Sequence, residues 1–379
     1  MDIRAINNTT NQEKIVILHM IETSGPGGAE NVLIKLVQNL DRKRFLSIVC
    51  LRKSGWLSQE LSRIEIETHI IPESGRFDFF FLWQLVSLIK KRKISLIHAH
   101  EFLMNAYGTL AGLITGHPAI TTVHGKYYYW EKWYRRAAMR LASRYSRMIS
   151  VSQELRLFLE KSVGISPQRI LTIYNGIELR RGDALNNTAL ARSELQIDAE
   201  SQVIGTIANL YPVKGHTYLI RAIPKIVKQF PKVLFIFLGR GDEEQKLRQE
   251  AEELGVGDYV RFFGFRSDAR DILHIMDLFV LPSLSECLPL SVLEAMEAGI
   301  APVVTNVGGN SEVIDDSYNG YIVAPTNSEA LAEKIMILLS NRELANTMGS
   351  NAKRTIAEKF SLKKMVDEYQ TLYFTLLNK

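Results

Sequence analysis

The sequence predicts an α/β protein built from two Rossmann-like domains. Three observations carry this reading. The chain has 379 residues, more than one hydrophobic core usually holds. Short apolar runs alternate with amphipathic stretches and are separated by Gly-rich or polar loops, the rhythm of parallel strands joined by helices. After a polar stretch from Glu178 to Leu195, the same rhythm starts again at Gln202.

In the first half, Lys14–Met20 (KIVILHM) reads as a buried strand. It runs into the loop Glu22–Glu30, with Gly27 and Gly28, and then a helix over Asn31–Leu40. Strand, Gly-rich loop and helix make a phosphate-cradle geometry, although the spacing is neither G-x-G-x-x-G nor a Walker lysine loop, which disfavours NAD and ATP. Strands are expected at Phe45–Leu51, Ile66–Ile71, Ser95–His100, Ala119–Val123, Met148–Val151 and Ile170–Tyr174, with helices over Arg76–Lys93 and from Ser152 to Lys161. His98 and His100 form a His-x-His, but no further ligand with metal-site spacing follows, so no metal is expected there. His124 stands at the carboxyl end of its strand, where open α/β sheets face their ligands.

In the second half, strands are expected at Gln202–Ile207, Val233–Leu238 and Val260–Phe263. The first is followed by the loop Ala208–Gly215, with Asn209 and Lys214, and a helix from about Thr217. The second opens into Gly239-Arg240-Gly241 and a charged helix to Leu254; the third leads into Gly264 and Arg266, then a helix over Asp268–Met276. Phe279–Val313 is the most informative stretch. Phe279-Val280-Leu281 is a strand stopped by Pro282, and Pro289 precedes an apolar-periodic helix that Gly299 ends. Glu286 lies on the loop entering that helix and Glu294 lies inside it, while the helix start at Leu290 and Ser291 is a natural anion site. Helices over Ala330–Leu339, Arg342–Lys359 and Leu362–Leu377 close the chain.

Composition is that of an ordinary globular protein, 46% hydrophobic and 23% charged. Two cysteines, Cys50 and Cys287, make no disulfide framework, which suits a reducing compartment. Met1–Asn11 is polar and reads as no signal peptide, and no apolar run is long enough to span a bilayer. The net charge of +5 hides an asymmetry: residues 1–180 carry 25 Lys+Arg against 15 Asp+Glu, leaving 21 against 26 in the remainder. An anionic partner for the first half follows. Without a nucleic-acid motif, a membrane surface or an anionic acceptor is expected rather than nucleic acid. Two stretches suit such a surface. Phe77, Phe79, Phe80, Phe81, Leu82 and Trp83 precede Lys90–Lys93, and Lys126–Arg147 holds seven basic and seven aromatic residues against Glu131 alone. A core-facing helix and plain scaffold are the competing readings.

The string PSxSExxPLxxLEAMxAGxxPVVxxxxGGxxE, from Pro282 to Glu312, resembles the Glu-x7-Glu motif of the GT4-like family of retaining glycosyltransferases (glycosyl transferases group 1). The resemblance covers nearly the whole chain and is strongest over 200–325. It implies the GT-B fold, with two Rossmann-like domains facing across a cleft and the last helix crossing back to the first. The domains would be 1–180, joined by 362–379 and binding the acceptor, and 181–361, binding a nucleotide-sugar donor. It further implies that Glu294 binds the donor ribose, that Glu286 lies against the transferred sugar with His124 over it, and that Gly27 and Gly28 approach the donor diphosphate or sugar. Lys214 matches the family's diphosphate-gripping lysine. Asn209 replaces its partner arginine, losing a fixed cation and a bidentate fork. Gly239, Gly264 and Arg266 would line the nucleotide side.

The activity implied is retaining transfer of a hexose from a nucleotide-diphosphate sugar, UDP-linked by expectation. The acceptor would be a glycan or lipid-linked molecule, in bacterial cell-surface polysaccharide synthesis at the cytoplasmic face of the membrane. No Asp-x-Asp occurs, so metal-independent transfer with no cofactor is expected, Lys214, the helix start at Leu290 and Ser291 and the Gly27-Gly28 loop meeting the developing charge. Three alternatives stand beside it. A sugar-nucleotide 2-epimerase of the same architecture would act without an acceptor, and a non-catalytic sugar-nucleotide-binding subunit would bind donor without turnover. A dehydrogenase is disfavoured by the absent fingerprint.

Overall fold

The computed structural model describes residues 13–72, 78–126, 132–180 and 188–378. Phe77, residues 127–131 of the basic and aromatic stretch, and residues 181–187 of the polar connection lie outside these. The chain divides into two compact units. One gathers residues to Ile149, Leu159–Leu171 and the chain from Val366 onward; the other gathers Ser150–Phe158 and Thr172–Met365.

The first unit is an open parallel sheet in the order β3-β2-β1-β4-β5-β6-β7. Its strands are β1 (Ile15–Ile21), β2 (Phe45–Leu51), β3 (Glu67–Ile70), β4 (Leu96–His100), β5 (Ala119–Val123), β6 (Arg147–Ser150) and β7 (Ile170–Thr172). Buried Leu18 and Met20 on β1, Ile48 and Cys50 on β2, and Ile97 and Ala99 on β4 pack under the helices Phe79–Lys91 and Phe102–Thr115, as strands covered on both faces should. The first helix starts at Gly28, three residues before the sequence reading places it. Two helices escape that reading, Trp56–Arg63 and Phe102–Thr115.

The second unit carries β8 (Gln202–Ile207), β9 (Val233–Leu238), β10 (Val260–Gly264), β11 (Leu278–Leu281), β12 (Pro302–Thr305) and β13 (Tyr321–Val323), in the order β10-β9-β8-β11-β12-β13. All five neighbouring strand pairs are parallel. Helices His216–Val227 and Ser328–Ser340 bury one apolar face each in its core. Within the polar connection a helix runs over Thr188–Glu194, and Asp268–Met276 is one α-turn continued as a 3₁₀ turn rather than a single helix. Likewise, the helix expected from Ser152 to Lys161 is α-helical over Gln153–Phe158 and then widens to a π turn.

Ser150–Phe158 sits in the second unit for a local reason. The carboxylate of Glu312 accepts the backbone N–H of Gln153 and of Glu154, both at 2.8 Å, and the Tyr174 hydroxyl at 2.9 Å. The last glutamate of the Pro282–Glu312 string is therefore a helix cap, neutralising the N–H groups left open at a helix start.

Candidate functional site

In a doubly wound sheet, ligands gather where the strand order reverses, at the carboxyl ends of the strands. In the second unit the reversal falls between β8 and β11. The loops leaving those two strands carry Lys214 and Glu286, and the structure joins them. Lys214 Nζ lies 2.6 Å from Glu286 Oε1, which also accepts the Ser283 hydroxyl at 2.7 Å. The Glu286 side chain is 8% exposed and that of Lys214 25%, so the pair sits at the floor of the loop cluster with the ammonium nearer to solvent.

Glycines make this packing possible. A Cβ on Gly308 would lie 1.7 Å from the Glu286 carbonyl oxygen, and one on Gly309 2.1 Å from that of Cys287. Gly215, at φ +64°, comes as close to the Pro282 carbonyl. The Leu284 N–H donates to the Val213 carbonyl at 2.8 Å, and the Thr305 hydroxyl to that of Ser283. The Glu286 loop is thus clamped by backbone on both sides. Gly239, at φ +153°, would place a Cβ 1.9 Å from the Ala208 oxygen, and its N–H donates to the Gly264 carbonyl at 2.8 Å. Asn209, Gly239 and Gly264 therefore form one seam, and close backbone packing is itself a reason for Gly239.

The helix Leu290–Glu297 begins behind Pro289 with no side-chain cap, so its first N–H groups, at Leu290 and Ser291, are open to an anion. Glu294 faces Arg270, whose Nε lies 3.8 Å away while Nη2 reaches the buried Glu297 at 3.2 Å. The sequence reading missed this cation; its only signal there was a basic residue on a neighbouring turn. Arg266 is held in a two-pronged pair by Asp268, at 2.7 and 2.6 Å, so its charge is already matched. His216, also unforeseen, donates its Nε2–H to the Asn209 carbonyl at 3.1 Å, its Nδ1 has no partner among the described residues, and burial lowers its pKa to about 4.

In the first unit the order reverses between β1 and β4. The loop after β1 holds Gly27 and Gly28. A Cβ on Gly27 would lie 2.5 Å from a Glu30 carboxylate oxygen, whereas nothing lies within 4 Å of one on Gly28. The Thr23 hydroxyl bridges Glu30 and Glu101, the latter at 3.1 Å, and Glu22 accepts the Leu103 N–H at 3.3 Å. Burial first, and then the charges of Glu30 and Glu22, push the Glu101 pKa up to about 7. Three carboxylates therefore lie around this loop: Glu22 is paired with Arg52 at 3.6 Å, and burial raises the pKa of Glu30 as well as that of Glu101. His124 bonds to His100, Nε2 to Nδ1 at 3.0 Å, and burial lowers its pKa to about 4. Among the described residues no second hydrogen-bond partner orients it as an acid.

The aromatic stretches divide. On the helix Phe79–Lys91, Phe81, Leu82, Leu85, Leu88 and Ile89 are buried, while Phe79, Phe80 and Trp83 are 75%, 62% and 64% exposed. Trp133 and Tyr134 are also exposed. Several nearby arginines have structural work: Arg140 donates to the Val163 carbonyl, Arg147 to that of Gln168, and Arg135 lies over the Phe102 ring.

Two open parallel sheets of this construction define the GT-B architecture. Residues 26–181 match the family model described as Glycosyltransferase Family 4, and residues 187–355 the one described as Glycosyl transferases group 1. An Escherichia coli protein named UDP-Gal:alpha-D-GlcNAc-diphosphoundecaprenol alpha-1,3-galactosyltransferase is 25% identical over 384 residues, 96% of this chain and 98% of that protein. The Bacillus anthracis N-acetyl-alpha-D-glucosaminyl L-malate synthase is 31% identical over 208 residues, about half of each chain (55% and 54%). Among solved structures, Anabaena Alr3699/HepE in complex with UDP and glucose superposes with a TM-score of 0.86 at 24% identity, covering 95% of this chain and 100% of that one. The chain belongs to the GT4-like family of GT-B glycosyltransferases.

Proposed function

We propose that this glycosyltransferase moves a hexose from a UDP-sugar to a lipid-linked or glycan acceptor with retention of configuration, in the assembly of a bacterial surface polysaccharide. The observation that carries it is the Lys214–Glu286 pair beside the uncapped start of the Leu290–Glu297 helix, at the reversal of the second sheet. A leaving diphosphate gathers negative charge, and an ammonium with fixed N–H groups is what lowers that barrier. Asn209 offers hydrogen bonds in place of a second cation, so the ammonium and the helix end carry the charge, and the reaction needs no divalent ion. Glu294 takes the ribose hydroxyls, and Glu286, once Lys214 turns to the diphosphate, accepts hydrogen bonds from the transferred sugar. Gly239, Gly264 and Arg266 attend the nucleotide.

Names of relatives support the donor and acceptor classes. One galactosyltransferase relative uses UDP-Gal and an undecaprenol-linked diphosphate by its name, and the Anabaena neighbour was solved with UDP-glucose. For the first unit, the carboxylates beside Gly27 suit sugar hydroxyls rather than phosphate, and His124 is assigned to the transferred sugar. Exposed Phe79, Phe80, Trp83 and Trp133 suit contact with a membrane surface at the cytoplasmic face.

The test is turnover of a UDP-sugar panel with an undecaprenyl-diphosphate-linked acceptor, in chelator. Lys214→Met should lower kcat/KM by ~10²–10³-fold, the loss typical of one preorganised charge-stabilising group. Turnover that persists in the variant, or that requires added magnesium, would overturn the assignment. Sugar-nucleotide conversion without acceptor would replace transfer by 2-epimerisation, and donor binding without turnover would make the chain a binding subunit.

A further inference from the structure

The face of the first sheet beneath the helix Leu362–Leu377 is not apolar. His19 on β1 pairs in register with His98 on β4, and His100 follows two residues on, so all three rings leave the same face. They are completely buried. Their ring centres lie 5.4 Å apart for His19 and His98 and 4.2 Å for His98 and His100. One nitrogen from each can be chosen so that all three lie within 4.8 Å of one another.

We propose that His19, His98 and His100 bind one divalent transition-metal ion of the zinc class, at a site separate from the donor chemistry of the second unit. The hydrogen bonds favour this over a packed layer of rings. His100 uses Nδ1 on His124, leaving Nε2 buried with no partner among the described residues. His19 has only a 3.5 Å approach from Nε2 to the Ser47 hydroxyl, and its Nδ1 is buried and unpartnered as well. An unsatisfied buried nitrogen costs about 1–3 kcal/mol, so two of them on facing rings call for a partner, and the third ring beside them makes an ion a better fit than a single water. His98 holds the Tyr373 hydroxyl on one nitrogen and that of Thr122 on the other, each at 2.8 Å, and gives up one of them to the ion.

Each ring would then keep an outer partner on its second nitrogen, the arrangement that orients metal-bound imidazoles. Nitrogens on a tetrahedral zinc at ~2.0–2.1 Å stand roughly 3.4 Å apart, so the observed spacing closes by small ring rotations. Burial holds all three imidazoles neutral, with the His19 pKa lowered to about 3, and a neutral imidazole is the ligating form. Three imidazoles without a carboxylate select zinc, cobalt, nickel or copper over magnesium or calcium. The ion would fasten β1 to β4 and, through the outer bond of His98 to Tyr373, the last helix to the sheet.

The full-length protein, stripped with chelator and titrated with cobalt(II), should take up one ion per chain with the visible absorption of a low-coordinate nitrogen site. His19→Ala and His100→Ala, checked for folding by near-ultraviolet circular dichroism, should bind it more weakly by more than the ~10–100-fold that losing an outer partner costs. X-ray absorption on the wild-type complex should count three imidazoles, a readout independent of the variants. No uptake, uptake unchanged in both variants, or fewer than three imidazoles would overturn the proposal and leave a water-filled polar layer.

Discussion

The two sheets reverse their strand order in the same way, yet the two crevices carry opposite chemistry. At the second reversal a lysine, a glutamate and an open helix end meet, and backbone presses on the loop from both sides. At the first reversal, Glu22, Glu30 and Glu101 crowd around Thr23. A threonine hydroxyl has one proton to donate, so two carboxylates on it are comfortable only if one is protonated. Topology delivers loops to a crevice; the side chains on the loops decide which chemical groups it offers.

The sharpest way to break this contrast is to loosen the clamp without touching a charge. Gly308→Ala puts a methyl group 1.7 Å from the Glu286 oxygen, at φ +55°. The Glu286 loop must move, and transfer should fall by ~100-fold, since misplacement of about 1 Å costs that much. Unchanged kcat/KM would show that the clamp is dispensable. Acid should then separate the units. His19, His98, His100 and His124 all lie in the first unit with pKa values depressed by burial. A depressed histidine pKa means that the unfolded chain binds more protons below pH ~6.5, so stability is lost as pH falls from there toward 4. Each group contributes up to about 1.4 kcal/mol per pH unit. The second unit holds two such histidines, His216 and His274, against these four, so at pH 5 the first unit, which carries all four tryptophans, should lose its tryptophan signal before hydrogen exchange shows the second unit open; simultaneous opening would contradict the contrast.

Glu101 works in the opposite direction. Its raised pKa means that the folded state holds the extra proton, so stability declines as pH rises from ~4.5 through 7. Glu101→Gln should flatten that decline and raise stability at pH 8 by ~1–2 kcal/mol, seen as a higher denaturation midpoint. The smallest effect is expected from Gly28→Ala. With open space around the added methyl group and a helix starting there, folding should change by no more than ~1 kcal/mol, in the stabilising direction. A loss of turnover in a variant that folds this well would mean that substrate comes close to that backbone.

Much of this was legible beforehand. The strands of both sheets other than β13, the loop positions of Lys214 and Glu286, and the helix behind Pro289 follow from local apolar runs and punctuation. What escaped was non-local or disguised. The helix Phe102–Thr115 contains Gly108 and Gly112, which read as breakers. They are there because a Cβ would come within 2.9 Å of Ala99 and 2.8 Å of the His117 carbonyl, so the helix needs them to lie close to its sheet. The strand β13 is three residues long and left no pattern. The pairing of Lys214 with Glu286 spans 72 positions, and no spacing rule reaches so far. His19 sat inside an apolar strand, where only register with β4 reveals it as a neighbour of His98.

The bond between His98 and Tyr373 joins residues 275 positions apart. During synthesis, at about 5–20 residues per second, the sheet that holds His98 emerges tens of seconds before the helix that covers it. Through that interval the first-made half exposes a layer of imidazoles where a finished protein would show a closed wall. Its maturation therefore waits on the helix Leu362–Leu377, and a chaperone or a passing ion has its best access to those rings before that helix is made.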